Sequence, residues 1–347
     1  MAVLNLNGTP HIDAIEPQCA LAGGEIRILG RGLRPQELRR PAVHFPGNVD
    51  GSVVVSSNDF LVARVPEGAA SGDLVVVANG HQSNSREVHV AVPIADNLHP
   101  VANPAVDAEG NIYATFSGSR GQKVPVAIYR IDESYTAKPF VIEMMNPTGM
   151  AFGRDGSLYV SSRYDGTVYR VSKSGAMTSY AEGMGVATGI AFDRDGNLYV
   201  GDRSGTIFKI GLDRQIFVFA TMEPSVSAYH LAFDDYGNLY VTGPTTSSFD
   251  TVYRIDPHGH VEVFYRGLGR PQGLAFDDKG NLYVVASLRG RRGVVKITPR
   301  HEVSLAVSGQ NLVGLAFAPG KSVVLATNSE LHHLDWGMAG RKLLPAR

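Results

Sequence analysis

Cysteine is almost missing from this chain: Cys19 is the only one in 347 residues. No intrachain disulfide can form, and no cysteine-rich metal site can be built. A lone free cysteine packs as a small hydrophobe, so Cys19 is expected in a core. An excess of charge is also lacking. Lysine plus arginine total 32 and aspartate plus glutamate 33, a formal net charge of −1. That balance gives no broad field for nucleic acid or an anionic membrane. The modest basic group Arg27, Arg31, Arg34, Arg39 and Arg40 reads as a solvated face. No apolar run reaches the length of a membrane-spanning helix. Residues 1–8 lack the basic stretch and apolar run of a signal peptide. Cytoplasmic placement is therefore the default, and an extracytoplasmic one would require a removed leader. Neither a phosphate-binding Gly-x-x-x-x-Gly-Lys-Ser/Thr loop nor a dinucleotide fingerprint occurs.

What the chain does have is turn-formers and a repeat. Its 39 glycines and 19 prolines separate short apolar runs, which favours strands and tight turns. A Gly-x-Ala-Phe segment recurs as Gly149–Phe152, Gly189–Phe192, Gly273–Phe276 and Gly314–Phe317. His230–Phe233 is a variant and Pro104–Val106 a worn first copy. Each segment is followed by a turn and strand: Gly110-Asn-Ile-Tyr113, Gly156-Ser-Leu-Tyr159, Gly196-Asn-Leu-Tyr199, Gly237-Asn-Leu-Tyr240 and Gly280-Asn-Leu-Tyr283, with the sixth worn at Gly320–Leu325. A third element runs from Ile128-Tyr-Arg-Ile131 through Val168–Val171, Ile207–Ile210, Val252–Ile255 and Val294–Ile297 to a worn Leu331–Leu334. The turn glycines 110, 156, 196, 237, 280 and 320 are spaced by 46, 40, 41, 43 and 40 residues. A period near 40 with four short strands per unit is the pattern of a β-propeller. In the second copy the strands are expected at about 148–152, 158–162, 167–171 and 178–181. The recurring Asp155, Asp195, Asp235 and Asp278 are read as turn-formers, one per hairpin. The last outer strand is expected near Arg341–Ala346, so that all six blades are complete without a strand from the N-terminus.

The repeat, with its Gly-Asn-Leu-Tyr core, resembles NHL repeats and the wider senescence-marker-protein/gluconolactonase-like six-bladed propellers. The resemblance covers about residues 100–347. The first 92 residues lack the repeat and read as short strands between glycines and prolines. Their motifs are His11–Pro17, Gly23–Gly30 with Gly32-Leu33, Val43–Phe45, Val65-Pro66, Gly72–Val77, Asn79-Gly80 and Ser83–Ser85. In order and spacing they resemble a bacterial-type IPT/TIG domain. The expected fold is therefore all-β: an immunoglobulin-like sandwich over 1–92, a proline-bounded linker over 93–100 and a six-bladed propeller over 101–347.

Loops entering the innermost strands of a propeller line one end of its central channel, where a site can form. In the metal-dependent lactonase relatives, Asn or Asp just before the repeated glycine, with an early Glu, holds a divalent cation such as calcium. Here those positions carry Thr148, Thr188, Tyr229, Gln272 and Val313, with Asn103 or Pro104 in the first copy. None is a carboxylate, so the chain departs from the metal-binding pattern and no cofactor is expected. The candidate ligand-binding residues at the channel mouth are Asn103, Asn146, Thr148, Arg163, Thr188, Arg203, Tyr229, His230, Arg270, Gln272 and Asn311. Their amide, hydroxyl and guanidinium groups suit a polar ligand or a peptide, though any propeller mouth is polar. His230 is either a site residue or a larger side chain filling the channel. His332 and His333 are adjacent in a strand and point to opposite faces. Three excursions, 118–125, 243–250 and the basic hairpin 289–292, break the period.

These features favour a non-enzymatic binding or scaffold protein that takes a protein, peptide or glycan on the propeller face. The TIG-like segment would serve as spacer or docking module. The alternatives are a lactonase- or lyase-like enzyme with a channel-mouth site, and a structural subunit of a bacterial surface or secreted assembly. The last would form homo-oligomers.

Overall fold

The computed structural model describes residues 9–34, 40–247 and 249–341. Arg39 and residues 342–346 of the expected last strand lie outside them. Apart from a turn of helix at Pro319–Lys321, the regular structure is strand. No helix among the described residues is long and apolar enough to cross a membrane.

Residues 92–341 form a six-bladed β-propeller of antiparallel four-stranded blades. The innermost strands are Ala105–Val106, Pro147–Phe152, Ala187–Phe192, His230–Phe233, Leu274–Phe276 and Leu312–Ala318. Each contacts the next and the sixth contacts the first, so the ring closes. The chain enters these strands on what we call the upper face and leaves them through tight turns on the lower face. In the second blade the strands are Pro147–Phe152, Leu158–Ser162, Val168–Val171 and Met177–Ala181.

One carboxylate organises most of the lower turns. Asp277 Oδ1 accepts the N–H groups of Lys279 and Asn281, at 3.0 and 2.8 Å. Its Oδ2 accepts the Asn281 amide at 2.7 Å and the Tyr283 hydroxyl at 3.2 Å. Asp107, Asp193 and Asp234 bind the following Asn in the same way. This corrects the sequence reading. Of Asp155, Asp195, Asp235 and Asp278, only Asp155 holds its turn, because Gly153 stands in the usual aspartate position of that blade. The glycine that follows has positive φ, +90° at Gly196 and +79° at Gly280, a conformation that disfavours any side chain.

The repeated Tyr and Phe join neighbouring blades. Tyr199 meets Phe219 of its own blade and Phe233 of the next edge-to-face, with ring centroids 4.9 Å apart in each case. Equivalent triads centre on Tyr113, Tyr159 and Tyr240, whereas Tyr283 meets Phe317 of the sixth blade and Trp336, which follows that blade's strand Leu331–Asp335. Between the sixth blade and the first, where the repeat has lost its Tyr, the contact is aliphatic, with Val324 among Ile94, Leu98 and Ile112.

The outer strand of the last blade is Val92–Ala95, which pairs antiparallel with Leu331–Asp335. The ring thus borrows an N-terminal strand, contrary to the expectation of a complete set without one. The stretch 93–100, expected as a bare linker, begins as part of this strand. Pro93, which has no N–H to donate, is tolerated because the strand is an edge.

The strands of residues 11–90 enclose a cluster that includes Ile26, Ile28, Leu61 and Leu74. They are not a free-standing sandwich: they join the propeller's sheet. Cys19–Ala20 runs parallel between Arg86–Val90 and Val303–Ser308, the outer strand of the fifth blade. Cys19 is buried there with Leu21 and Ala91 against Tyr283, Val307 and Leu325. Burial pushes its thiol pKa up to about 12, so it stays protonated and inert. Arg291, from the hairpin 289–292, donates to the carbonyls of Glu16 and Glu25 at 2.9 and 3.1 Å. Part of that hairpin is therefore a joint within the chain.

Candidate functional site

The innermost strands come into backbone contact at one level, occupied by Asn103, Gly149, Gly189, His230, Gly273 and Gly314. A Cβ on Gly149 would lie 2.4 Å from the Thr188 carbonyl oxygen, and one on Gly314 2.7 Å from that of Ala102. This is why the repeat carries glycine there. Pairing of Ala105 with Tyr113, as Ala151 pairs with Tyr159, places Asn103 in the glycine position of the first blade. Its amide donates to the Leu274 carbonyl at 2.9 Å and accepts the Leu315 N–H at 3.1 Å. It thereby laces the first strand to the fifth and sixth blades. The ring of close contacts constricts the channel, so the residues before it do not share one open mouth.

Thr148, Thr188 and Tyr229 are buried, and their hydroxyls are committed internally. Thr148 donates to the Asn146 carbonyl, Thr188 to that of Gly201 and Tyr229 to that of Glu223. Asn146 fastens the first excursion. Its amide donates to the Gly118 and Ser119 carbonyls at 2.8 and 2.9 Å and accepts the Gly121 N–H at 2.7 Å. Arg163 also donates to Gly118, at 2.8 Å, and its Nε is buried without a partner. Burial, then repulsion from Arg203 and Arg120, lowers its pKa from the ordinary guanidinium value. Arg203 reaches the Val226 carbonyl at 2.9 Å.

Three of the predicted residues do converge. Arg270, Gln272 and Asn311 line an upper-face cleft of about 320 Å³ between the fourth, fifth and sixth blades. Arg292, Ser287 and Ser247 complete its polar lining. Arg270 and Asn311 hold positive φ, +48° and +57°, at matching places three residues before the repeat glycine. Arg292 and Ser247 belong to two of the excursions that broke the sequence period, which was the signal available for them. Among the described residues, Arg120, Arg163, Arg203, Arg270 and Arg292 stand on this face without an ion pair. No three His, Cys, Asp or Glu side chains converge as a metal-binding group among the described residues.

On the other side of the constriction lies a cavity of about 330 Å³, the channel itself, opening to the lower face. Asn103 and His230 line it, and so do Arg154, Asp193, Arg194 and Arg341 near its rim. Sequence reasoning missed these rim residues because they occupy ordinary turn positions. Arg194 and Arg341 share Asp235, each at 2.8 Å.

Two segments match family models: residues 223–250 match a β-propeller repeat and residues 189–210 the N-terminal part of strictosidine synthase-like proteins. No curated protein matches the sequence. Solved structures with the same fold include an auxiliary nutrient binding protein from Bacteroides thetaiotaomicron, with 12% identity and a TM-score of 0.56 over 95% of this chain and 98% of that one. A candidate gluconolactonase superposes with a TM-score of 0.60 at 17% identity, over 74% of this chain and 94% of that one. A virginiamycin B lyase from Staphylococcus aureus gives 0.51 at 13% identity, over 96% and 97%. At these identities the likeness concerns the fold.

Proposed function

We propose that this protein is a non-enzymatic binding protein whose upper face takes an acidic glycan. The observation that carries this reading is the cleft lined by Arg270, Gln272, Asn311 and Arg292. Guanidinium groups without carboxylate partners suit bidentate pairing with the carboxylate or sulfate of a sugar. The amides of Gln272 and Asn311 can both donate to and accept from hydroxyls. Arg120, Arg163 and Arg203 would extend the surface across the first three blades, as a chain longer than the cleft requires. The nutrient-binding description of a protein with the same fold is in keeping with a small-molecule or glycan ligand.

We further propose that the N-terminal strands are a TIG-type module, in the order the sequence motifs give. Seated beside the cleft through Cys19–Leu21, the module would act as spacer or docking element. The propeller repeats would be of NHL type. Binding would need no metal, because no carboxylate stands before the repeat glycines.

The test is calorimetric titration with a uronic-acid oligosaccharide and its neutral counterpart, before and after chelation. Saturable binding of the acidic sugar is expected. It should be weakened at least tenfold in the Arg270→Ala/Arg292→Ala variant and unaffected by chelation, as loss of two charge-assisted contacts predicts. Equal binding of both sugars, or loss of binding on chelation, would overturn the reading.

A further inference from the structure

We propose that the central channel is a second ligand site, open to the lower face, for a slender hydroxylated monocarboxylic acid. Its carboxylate would lie at the rim, its apolar body between the strands and its hydroxyl on His230. Several observations converge on this. The cavity of about 330 Å³ is large enough for a small ligand. From Gly149 to Phe152 the lining strand advances three residues, roughly 10 Å at the usual rise, before the chain turns at Gly153 and Arg154. Its lining includes the repeat alanines Ala151, Ala191, Ala232, Ala275 and Ala316, which add apolar surface between its two ends.

His230 is the departure from this pattern. Four blades carry glycine at its level, and the first carries Asn103, whose amide bridges Leu274 and Leu315. His230 is 4% exposed and lines the cavity, and its ring makes no hydrogen bond among the described residues. Burial lowers its pKa to about 4, so at neutral pH the ring carries one N–H donor and one bare nitrogen acceptor. A hydroxyl, which both donates and accepts, is the complementary group. At the rim, Arg194 and Arg341 are held by Asp235, whereas Arg154 has no ion pair among the described residues. Arg154 is thus a guanidinium free to meet a carboxylate, beside an Arg194–Asp235–Arg341 group that keeps one net positive charge. A hydroxyl at one end and a carboxylate at the other, with an apolar body between, matches the order of groups along the channel.

The experiment is titration of the full chain at neutral pH with two probes, para-hydroxyphenylpropanoate and phenylpropanoate, which differ only in the hydroxyl. The hydroxylated probe should bind about fivefold to tenfold more tightly, the usual worth of one hydrogen bond. His230→Gly restores the residue found in four other blades and should make the two probes equal. Arg154→Gln changes an exposed rim residue and should weaken both about tenfold while keeping their ratio. Absence of saturable binding by either probe, or a hydroxyl preference that survives His230→Gly, would overturn the proposal. So would Arg154→Gln leaving both affinities unchanged.

Discussion

At the scale of single residues, the repeat's chemistry is concentrated in a few buried polar groups. Asp277 is 1% exposed and accepts four hydrogen bonds. Asp277→Ala would leave those donors unpaired, and urea denaturation should report a loss of about 2–4 kcal/mol. Asp278→Ala, one residue on, should cost under about 0.5 kcal/mol, since its carboxylate takes no part in the turn. The sequence could show that aspartates recur at these turns. It could not show which of two adjacent ones faces inward, because both satisfy the same turn preference. His230 gives a pH prediction. Its pKa falls from the ordinary 6.5 to about 4 through burial alone. The neutral form is therefore favoured in the folded state, and the contribution is complete above pH 6.5. As the pH falls from 6.5 towards 4 the unfolded chain takes the proton first, and stability is lost. Relative to His230→Gly, the wild type should lose on the order of 2–3 kcal/mol across that window. Parallel pH dependences of the two proteins would contradict the assignment.

At the scale of elements, the strands of the blades were largely legible, because a forty-residue repeat states the same pattern of turn and alternation six times, five of them with the aromatic. The aromatic positions became intelligible only in three dimensions. Tyr199 of one blade rests on Phe233 of the next, a contact between residues that look in sequence like separate copies of a motif. Tyr199→Ala should destabilise by about 3–5 kcal/mol, measured by thermal or urea unfolding, whereas Tyr199→Phe should cost far less. The closing strand was not legible. Val92–Ala95 carries no repeat signature, since an edge strand needs only backbone pairing and one buried side chain, here Ile94. Ile94→Asp should lower the midpoint of thermal unfolding by several degrees by placing a charge against Leu98, Ile112 and Val324. An unchanged midpoint would mean that the ring does not depend on this strand. The candidate site was legible only in part. Arg270, Gln272 and Asn311 were recognisable because they precede the innermost strands. Thr148, Thr188 and Tyr229 occupy similar places in sequence but face inward, a distinction that depends on how far adjacent strands approach.

At the scale of the whole molecule, the chain is a ring joined to a second layer of strands rather than two beads on a linker. Cys19–Ala20 extends the fifth blade, Val92–Ala95 completes the sixth, and Arg291 ties the hairpin beside the cleft to Glu16 and Glu25. This arrangement places the N-terminal strands next to the upper-face cleft while leaving the lower opening of the channel on the opposite side. The two cavities share no lining residue, so occupation of one need not exclude occupation of the other. The central claim is that the upper-face cleft is where this protein meets an acidic glycan. Hydrogen–deuterium exchange with and without a uronic-acid oligosaccharide tests it most directly. The account predicts slower exchange in the segments around residues 268–273, 286–293 and 309–313, with the lower-face turns unchanged. Protection confined to the lower face, or to the outer edges of the blades, would contradict it.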